Sequence, residues 1–199
     1  MKSILSILFV LVLPPLSMAQ AVSGYADSPK EELSQFYIET DPTALVFSGF
    51  SLAVRRSATL HRQLILGLGM YKTTLPEFYI NAVKSNAARG WQASNFGLDA
   101  FADYFVFDPN QGLSIGFQLG YYHFKLTRAG SRADFQSVIE TLRIGYVWRP
   151  IRQIKAIYLF PWVGVSTHQK VSGTRVVEGE TFLLNRWSFV PTIQLGVSL

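Results

Sequence analysis

Cysteine is absent from all 199 residues, which excludes disulfides and cysteine-ligated metal sites. Charged side chains are scarce too, at 16% against about 25% in ordinary soluble proteins. No stretch reaches the roughly 18 apolar residues that a transmembrane helix needs. The apolar run Ile4 to Leu13 follows Lys2 and precedes Ser17-Met18-Ala19. A charged start, a short apolar core and a small-x-small site read as an export signal over residues 1–19. Pro14 and Pro15 would break a retained helical anchor early. With no cysteine after the apolar core, a lipid-anchored lipoprotein is excluded as well.

What is present is aromatic and alternating. Aromatic residues make up 14% of the chain. In the last stretch Phe189, Ile193, Leu195, Val197 and Leu199 alternate with Thr192, Gln194, Gly196 and Ser198. A period of two sends large apolar side chains to one face of a strand and small polar ones to the other. As a soluble sheet edge this strand would invite aggregation, whereas closing a barrel with an apolar outside and a polar inside gives it a partner. The same pattern recurs upstream. Leu64, Leu66, Leu68 and Met70 oppose Gly67 and Gly69, and Phe96, Leu98 and Ala100 oppose Asn95, Gly97 and Asp99. Ile115, Phe117, Leu119 and Tyr121 oppose Gly116, Gln118 and Gly120, with a bulge expected over residues 121–124 where the register slips. Leu142, Ile144 and Tyr146 oppose Thr141, Arg143 and Gly145, and Leu159, Val163 and Val165 oppose Tyr158, Trp162, Gly164 and Ser166.

Residues 20–34 read as a polar leader. Leu45 to Arg56 is a further strand, and Gln35 to Glu39 a weaker one that ends in a turn at Asp41-Pro42. Residues 73–90 read as a long loop with a helical turn near Glu77 to Val83, residues 127–134 as a medium loop, and residues 171–184 as a longer one. Tight turns are expected at residues 57–62, 106–112 and 149–155. Short turns therefore alternate with longer loops, as in outer-membrane barrels with short periplasmic turns and long outward loops. The expected fold is all-β, an up-and-down antiparallel eight-stranded transmembrane β-barrel over residues 35–199.

In this pattern and in its terminal strand the chain resembles the small eight-stranded outer-membrane barrels, the OmpA-transmembrane-domain and OmpX-like type, over nearly all of Gln35 to Leu199. The resemblance implies an integral outer-membrane location after signal removal, contact with outer-membrane lipids and lipopolysaccharide, and insertion by the barrel-assembly machinery through the C-terminal strand. That group usually ends in an aromatic residue, and this chain ends in Leu199. A soluble lipocalin-like binding barrel is the alternative, with the Leu64, Leu66, Leu68 face turned inward.

Asp99, Asp103 and Arg143 share the inward parity. In a lumen as narrow as eight strands leave, they read as a salt-bridge network plugging the barrel, or more sharply as a proton or ion path. Ser166 and His168, with His123 and Glu140, would be the parts of a lipid A-modifying acyl-ester hydrolase. His123 and His168 alone specify no metal site, because no third ligand is indicated. No cofactor is implied. Lys72, Lys84, Arg89, Lys125, Arg128, Arg132, Lys170, Arg175 and Arg186 map to outer loops or strand ends, where they suit lipopolysaccharide phosphates. Trp91, Tyr121, Tyr122 and Trp187 are expected in an outer aromatic girdle, and Tyr104, Phe107, Tyr146, Trp148 and Tyr158 in an inner one. The formal charge of +5 falls to about +4 once Lys2 leaves with the signal, and export makes anionic lipid a better partner than nucleic acid. No extracellular ligand is named by the sequence. The mature chain is expected to begin at Gln20, and intact-mass measurement of the exported protein checks this.

Overall fold

The computed structural model describes residues 36–59, 61–87, 89–151 and 153–199. The signal and leader expected over residues 1–34 lie outside the described residues. Eight strands form a closed antiparallel barrel in chain order: β1 (Phe36–Thr40), β2 (Phe50–Ser57), β3 (Leu64–Thr74), β4 (Gln92–Phe105), β5 (Gly112–Arg128), β6 (Ser131–Val147), β7 (Ile157–Gly173) and β10 (Trp187–Ser198). The short strands β8 (Val176–Val177) and β9 (Glu180–Thr181) form a separate hairpin between β7 and β10. Closure comes from β10, whose Ser198 and Leu195 pair with Tyr37 and Thr40 of β1.

The strands are strongly staggered. A row of outward residues starting at Val54 passes through Leu68, Ala100, Leu119, Glu140 and Thr167 and reaches β10 at Trp187. The β10 residue level with Val54 across β1 is instead Val197, ten residues further along. Such a stagger tilts the strands against the barrel axis. Alternation is kept throughout: Leu68, Leu98, Phe117, Leu142, Val165 and Phe189 are exposed outward, while Arg55, Asp103, Arg143 and Tyr158 are buried inside.

The structure departs from the sequence reading at three places. The Asp41-Pro42 turn is the start of a helix, α1 (Pro42–Val46), so β2 begins at Phe50 and not at Leu45. Asp41 caps it, its Oδ1 accepting from the Thr43 amide at 2.8 Å, and Pro42 occupies the first turn where its missing N–H costs nothing. Residues 127–134 are not a loop, because β5 and β6 run on to a two-residue turn. Ala129 and Gly130 both take positive φ there, 48° and 89°, as a tight hairpin requires. No bulge falls at residues 121–124, where Tyr122 and Phe124 both stay inside; the register shift lies in the β6–β7 pairing, at Gln136/Ser137. The helical turn expected near Glu77 to Val83 is present as a short helix, α2 (Glu77–Asn81).

Helix α1 completes the wall where β1 stops. Leu199 donates to the Phe36 carbonyl at 2.9 Å, so odd-numbered residues of β10 aim their backbone groups toward β1. Beyond Leu195 no strand stands on that side, and Pro191, which has no N–H to offer, lies in this unpaired stretch. Helix α1 packs against β10, β2 and β3, with Ala44 fully buried and Leu45 and Val46 exposed outward. Amide exchange in micelles should show Phe189 and Ile193 exchanging faster than Leu195 and Val197; equal protection would mean that this edge has a strand partner in solution.

Candidate functional site

The inner face of the barrel brings six strands together around one carboxylate. Arg143 of β6 donates to Asp103 of β4 through Nε (3.0 Å, to Oδ1) and Nη2 (2.6 Å, to Oδ2), a two-pronged match of guanidinium to carboxylate. Arg55 of β2 also donates to Asp103 Oδ2, and its Nη1 reaches Glu39 of β1 at 2.6 Å. Glu39 accepts again from the Tyr158 hydroxyl of β7 at 2.7 Å. On the other side Arg143 Nη1 meets Gln118 Oε1 of β5 at 3.3 Å. Gln118 Nε2 donates to Asp99 at 2.8 Å, and the Tyr122 hydroxyl caps the same carboxylate at 2.9 Å. Glu39, Arg55, Asp103 and Arg143 are each at most 2% exposed. Their charges are tolerable there because each is paired and hydrogen-bonded.

Aromatic faces complete the arginine shells. The Arg143 guanidinium carbon lies 4.9 Å from the Phe101 ring and 5.1 Å from that of Trp162, and Arg55 lies 5.2 Å from Phe160. Glycines admit these groups: a methyl at Gly116 would collide with the Asp103 carboxylate, and one at Gly196 with the Tyr158 ring. Toward the end that carries the turns at residues 58–63, 106–111 and 148–156, Tyr37, Ile65, Phe105, Val147, Tyr158 and Phe160 form a buried cluster. Toward the opposite end a second cluster of Trp91, Tyr122, Phe124, Phe135, Val177 and Phe182 joins the strands to the longer connections. Those connections clasp one another. Asn86 behaves like a strand backbone toward Leu183, donating to its carbonyl at 2.6 Å and accepting from its amide at 3.0 Å. Arg89 pairs with Glu180, and the Tyr79 hydroxyl meets Ser188 of β10 at 3.4 Å.

Of the sequence-selected lumen residues, Asp103 and Arg143 touch, while Asp99 reaches Arg143 only through Gln118. Sequence reading missed Arg55 and Glu39. Arg55 was visible as a charge on an inward position of β2; Glu39 sits on a strand too short to fix its own parity.

The hydrolase residues do not converge. Ser166 and His168 face the lumen, where Ser166 shares a 2.7 Å hydrogen bond with Thr141. His123 and Glu140 have the opposite parity on β5 and β6, so the barrel wall separates the two pairs. For the same reason His123 and His168 cannot share a metal, and no group of three candidate ligands occurs among the described residues.

The nine cations expected at the outer rim divide into two sets. Arg89 and Arg128 pair with Glu180 and Glu178, Arg175 lies over the Phe135 ring, and Lys170 donates to the Gly173 carbonyl. Lys72, Lys84, Lys125, Arg132 and Arg186 have no ion-pair partner among the described residues. The girdle expectation also needs correcting: Trp91, Tyr122 and Tyr158 are buried inside, whereas Tyr121, Trp187, Tyr104, Tyr146 and Trp148 are exposed outward.

No family model matches the chain, and no curated protein matches it. Among solved structures the N-terminal β-barrel domain of Pseudomonas aeruginosa OprF aligns with 84% of this chain and 98% of its own, at 11% identity and a TM-score of 0.46. The class is defined by the chain's own geometry: a small up-and-down barrel of eight antiparallel strands with charge inside and apolar side chains outside.

Removing one partner of a buried, hydrogen-bonded charge pair typically costs about 3–5 kcal/mol. Asp103→Ala strands two guanidiniums and should lower the urea midpoint in micelles more than Gln118→Ala does, with tryptophan fluorescence as the readout. Similar midpoints for the two variants would remove Asp103 from its central position.

Proposed function

We propose that the protein is an integral outer-membrane β-barrel with a structural or surface-interaction role and no open diffusion pore. The observation that carries this reading is the inverted polarity of the barrel. Arg55, Arg143, Glu39 and Asp103 are buried in the lumen, while Leu68, Leu142 and Phe189 are 70%, 64% and 61% exposed on the outside. In water so continuous an apolar surface would drive association; in a bilayer it is the contact surface, and a closed ring of strands leaves few backbone groups unpaired. A soluble lipocalin-like barrel would carry the opposite arrangement. The export signal read in residues 1–19 and the closing strand β10 agree with export and insertion by the barrel-assembly machinery.

The orientation follows from β10, with its C-terminal end on the periplasmic side. The turns at residues 58–63, 106–111 and 148–156 then lie in the periplasm, and the α1, α2 and β8–β9 connections face outward. Tyr121 and Trp187 stand toward the outer interface, Tyr104, Tyr146 and Trp148 toward the inner one. The lumen supports a plugged barrel: charge-paired arginines at the centre lie between two aromatic clusters. A non-catalytic protein is favoured over a lipid A hydrolase because the wall stands between Ser166 and His168 on one side and His123 and Glu140 on the other. The unpaired outer cations make lipopolysaccharide the partner we assign to the rim.

Cell fractionation with heat-modifiable gel mobility tests the location. Recovery in the outer membrane with a mobility shift on boiling is expected; a freely soluble periplasmic protein would end the reading. In planar bilayers the purified monomer should give silence or rare small events, and large steady conductance would remove the plugged-lumen part of the proposal.

A further inference from the structure

The β4–β5–β6 wall extends beyond the apolar belt and changes character as it does so. Moving outward along the exterior, the cross-strand row Leu98–Tyr121–Val138 gives way to Phe96–His123–Gln136, then to Ser94–Lys125–Asp134, then to Gln92–Thr127–Arg132. Lys125 stands four residues beyond Tyr121, about 13 Å of strand, which even after tilting carries it out of the hydrocarbon and into the headgroup layer. There the surface is concave. A groove of about 510 Å³ is lined by Gln92, Ser94, Lys125, Thr127, Arg132 and Asp134 among others. That volume suits a small-molecule headgroup.

Lys125 and Arg132 have no ion pair among the described residues, unlike Arg89 and Arg128, which the neighbouring loops neutralise. Both cations protrude from strands tied by an unbroken ladder from Gly112 to Arg128, so the scaffold beneath them is fixed. Between them Ser94, Thr127 and Gln92 offer neutral hydrogen-bonding groups, and Asp134 contributes one opposing charge. Directly below lie Phe96, Leu98 and Tyr121, all exposed. Two unpaired cations, a ring of hydroxyl and amide groups, and an apolar wall beneath them match a ligand with a phosphorylated sugar above and acyl chains below.

We propose that this exterior groove is a specific site for the phosphorylated diglucosamine headgroup of lipid A, with Lys125 and Arg132 meeting a phosphate and the acyl chains lying along β4 and β5. The inference rests on the outer-membrane reading and narrows its nine rim cations to one site. Asp134 tempers the affinity by like-charge repulsion with the phosphate.

The test uses mature protein in nanodiscs of zwitterionic phospholipid, read by native mass spectrometry. The probes are bisphosphorylated lipid A, the same lipid without phosphates, and phosphatidylglycerol. The K125A/R132A double variant is expected to bind bisphosphorylated lipid A about tenfold more weakly than the unaltered protein, since two charge-assisted contacts are lost. Asp134→Asn should bind more tightly, and Arg62→Ala, at the opposite rim, should bind as the unaltered protein does. Equal binding by the unaltered protein and the double variant would overturn the site, as would retention of the phosphate-free lipid at full strength. Phosphatidylglycerol binding as tightly as lipid A would overturn the glycolipid assignment and leave a general anion groove. Fractionation fails separately: an outer-membrane protein whose double variant binds normally loses only the groove.

Discussion

Asp103 is the centre on which the inside of this barrel depends. One carboxylate accepts from both Arg55 and Arg143, so β2, β4 and β6 are held across the lumen by charge-assisted bonds that water does not weaken. Neighbouring side chains are arranged to suit that arrangement. Gly116 leaves room for the carboxylate, Gln118 takes the remaining guanidinium donor, and Glu39 balances Arg55 before handing its second contact to Tyr158. A buried network of this kind gives little stability compared with a well-packed apolar core, yet any single missing member is costly. It is therefore better suited to fixing one register of eight strands than to maximising stability.

On the outer-membrane reading proposed above, the outside answers to a different constraint, the absence of water to satisfy backbone groups in hydrocarbon. Six of the eight junctions meet it with long ladders; the two that flank β1 do not, because β1 has only five residues, and on its β10 side the strand partner runs well beyond it. There a capped helical turn takes the place of strand, leaving Leu45 and Val46 exposed and burying Ala44 against its neighbours. Pro191 falls on the edge that this substitution leaves open. Pro161 marks a smaller interruption: the β6–β7 ladder ends at Gly145–Trp162 and resumes as an isolated bridge at Trp148–Leu159. Prolines occur in this barrel where a ladder donor is not demanded.

Past the apolar belt the exterior of the barrel turns polar. The β5–β6 hairpin carries polar side chains on its exterior and a stacked Phe124–Phe135 pair, centroids 4.7 Å apart, on its interior. The interior pair anchors the outer connections, and the exterior face supplies the groove. One extended hairpin thus serves the plug and the surface at once.

How much of this could be read from the chain depends on the range of the interaction involved. Alternation such as Leu64-Ile65-Leu66-Gly67-Leu68 fixed the inward and outward sets of every long strand, because strand periodicity is local and a one-residue slip would reverse it all. Strand number, order and polarity followed from the same local rule. The Asp41-Pro42 helix start was legible too, as an N-cap followed by proline, although the apolar run after it resembled a strand. Hairpin length at Ala129-Gly130 was hidden, because Lys125 to Asp134 is polar enough to look like a loop. Which charges pair was decided only by closure and stagger: Glu39, Arg55, Asp103 and Arg143 lie far apart in sequence, and a ten-residue offset around the ring brings them to one level. Strand parity had already put His123 and Ser166 on opposite faces of the wall, whereas contacts across the lumen depend on the barrel's circumference and tilt, which no local pattern contains.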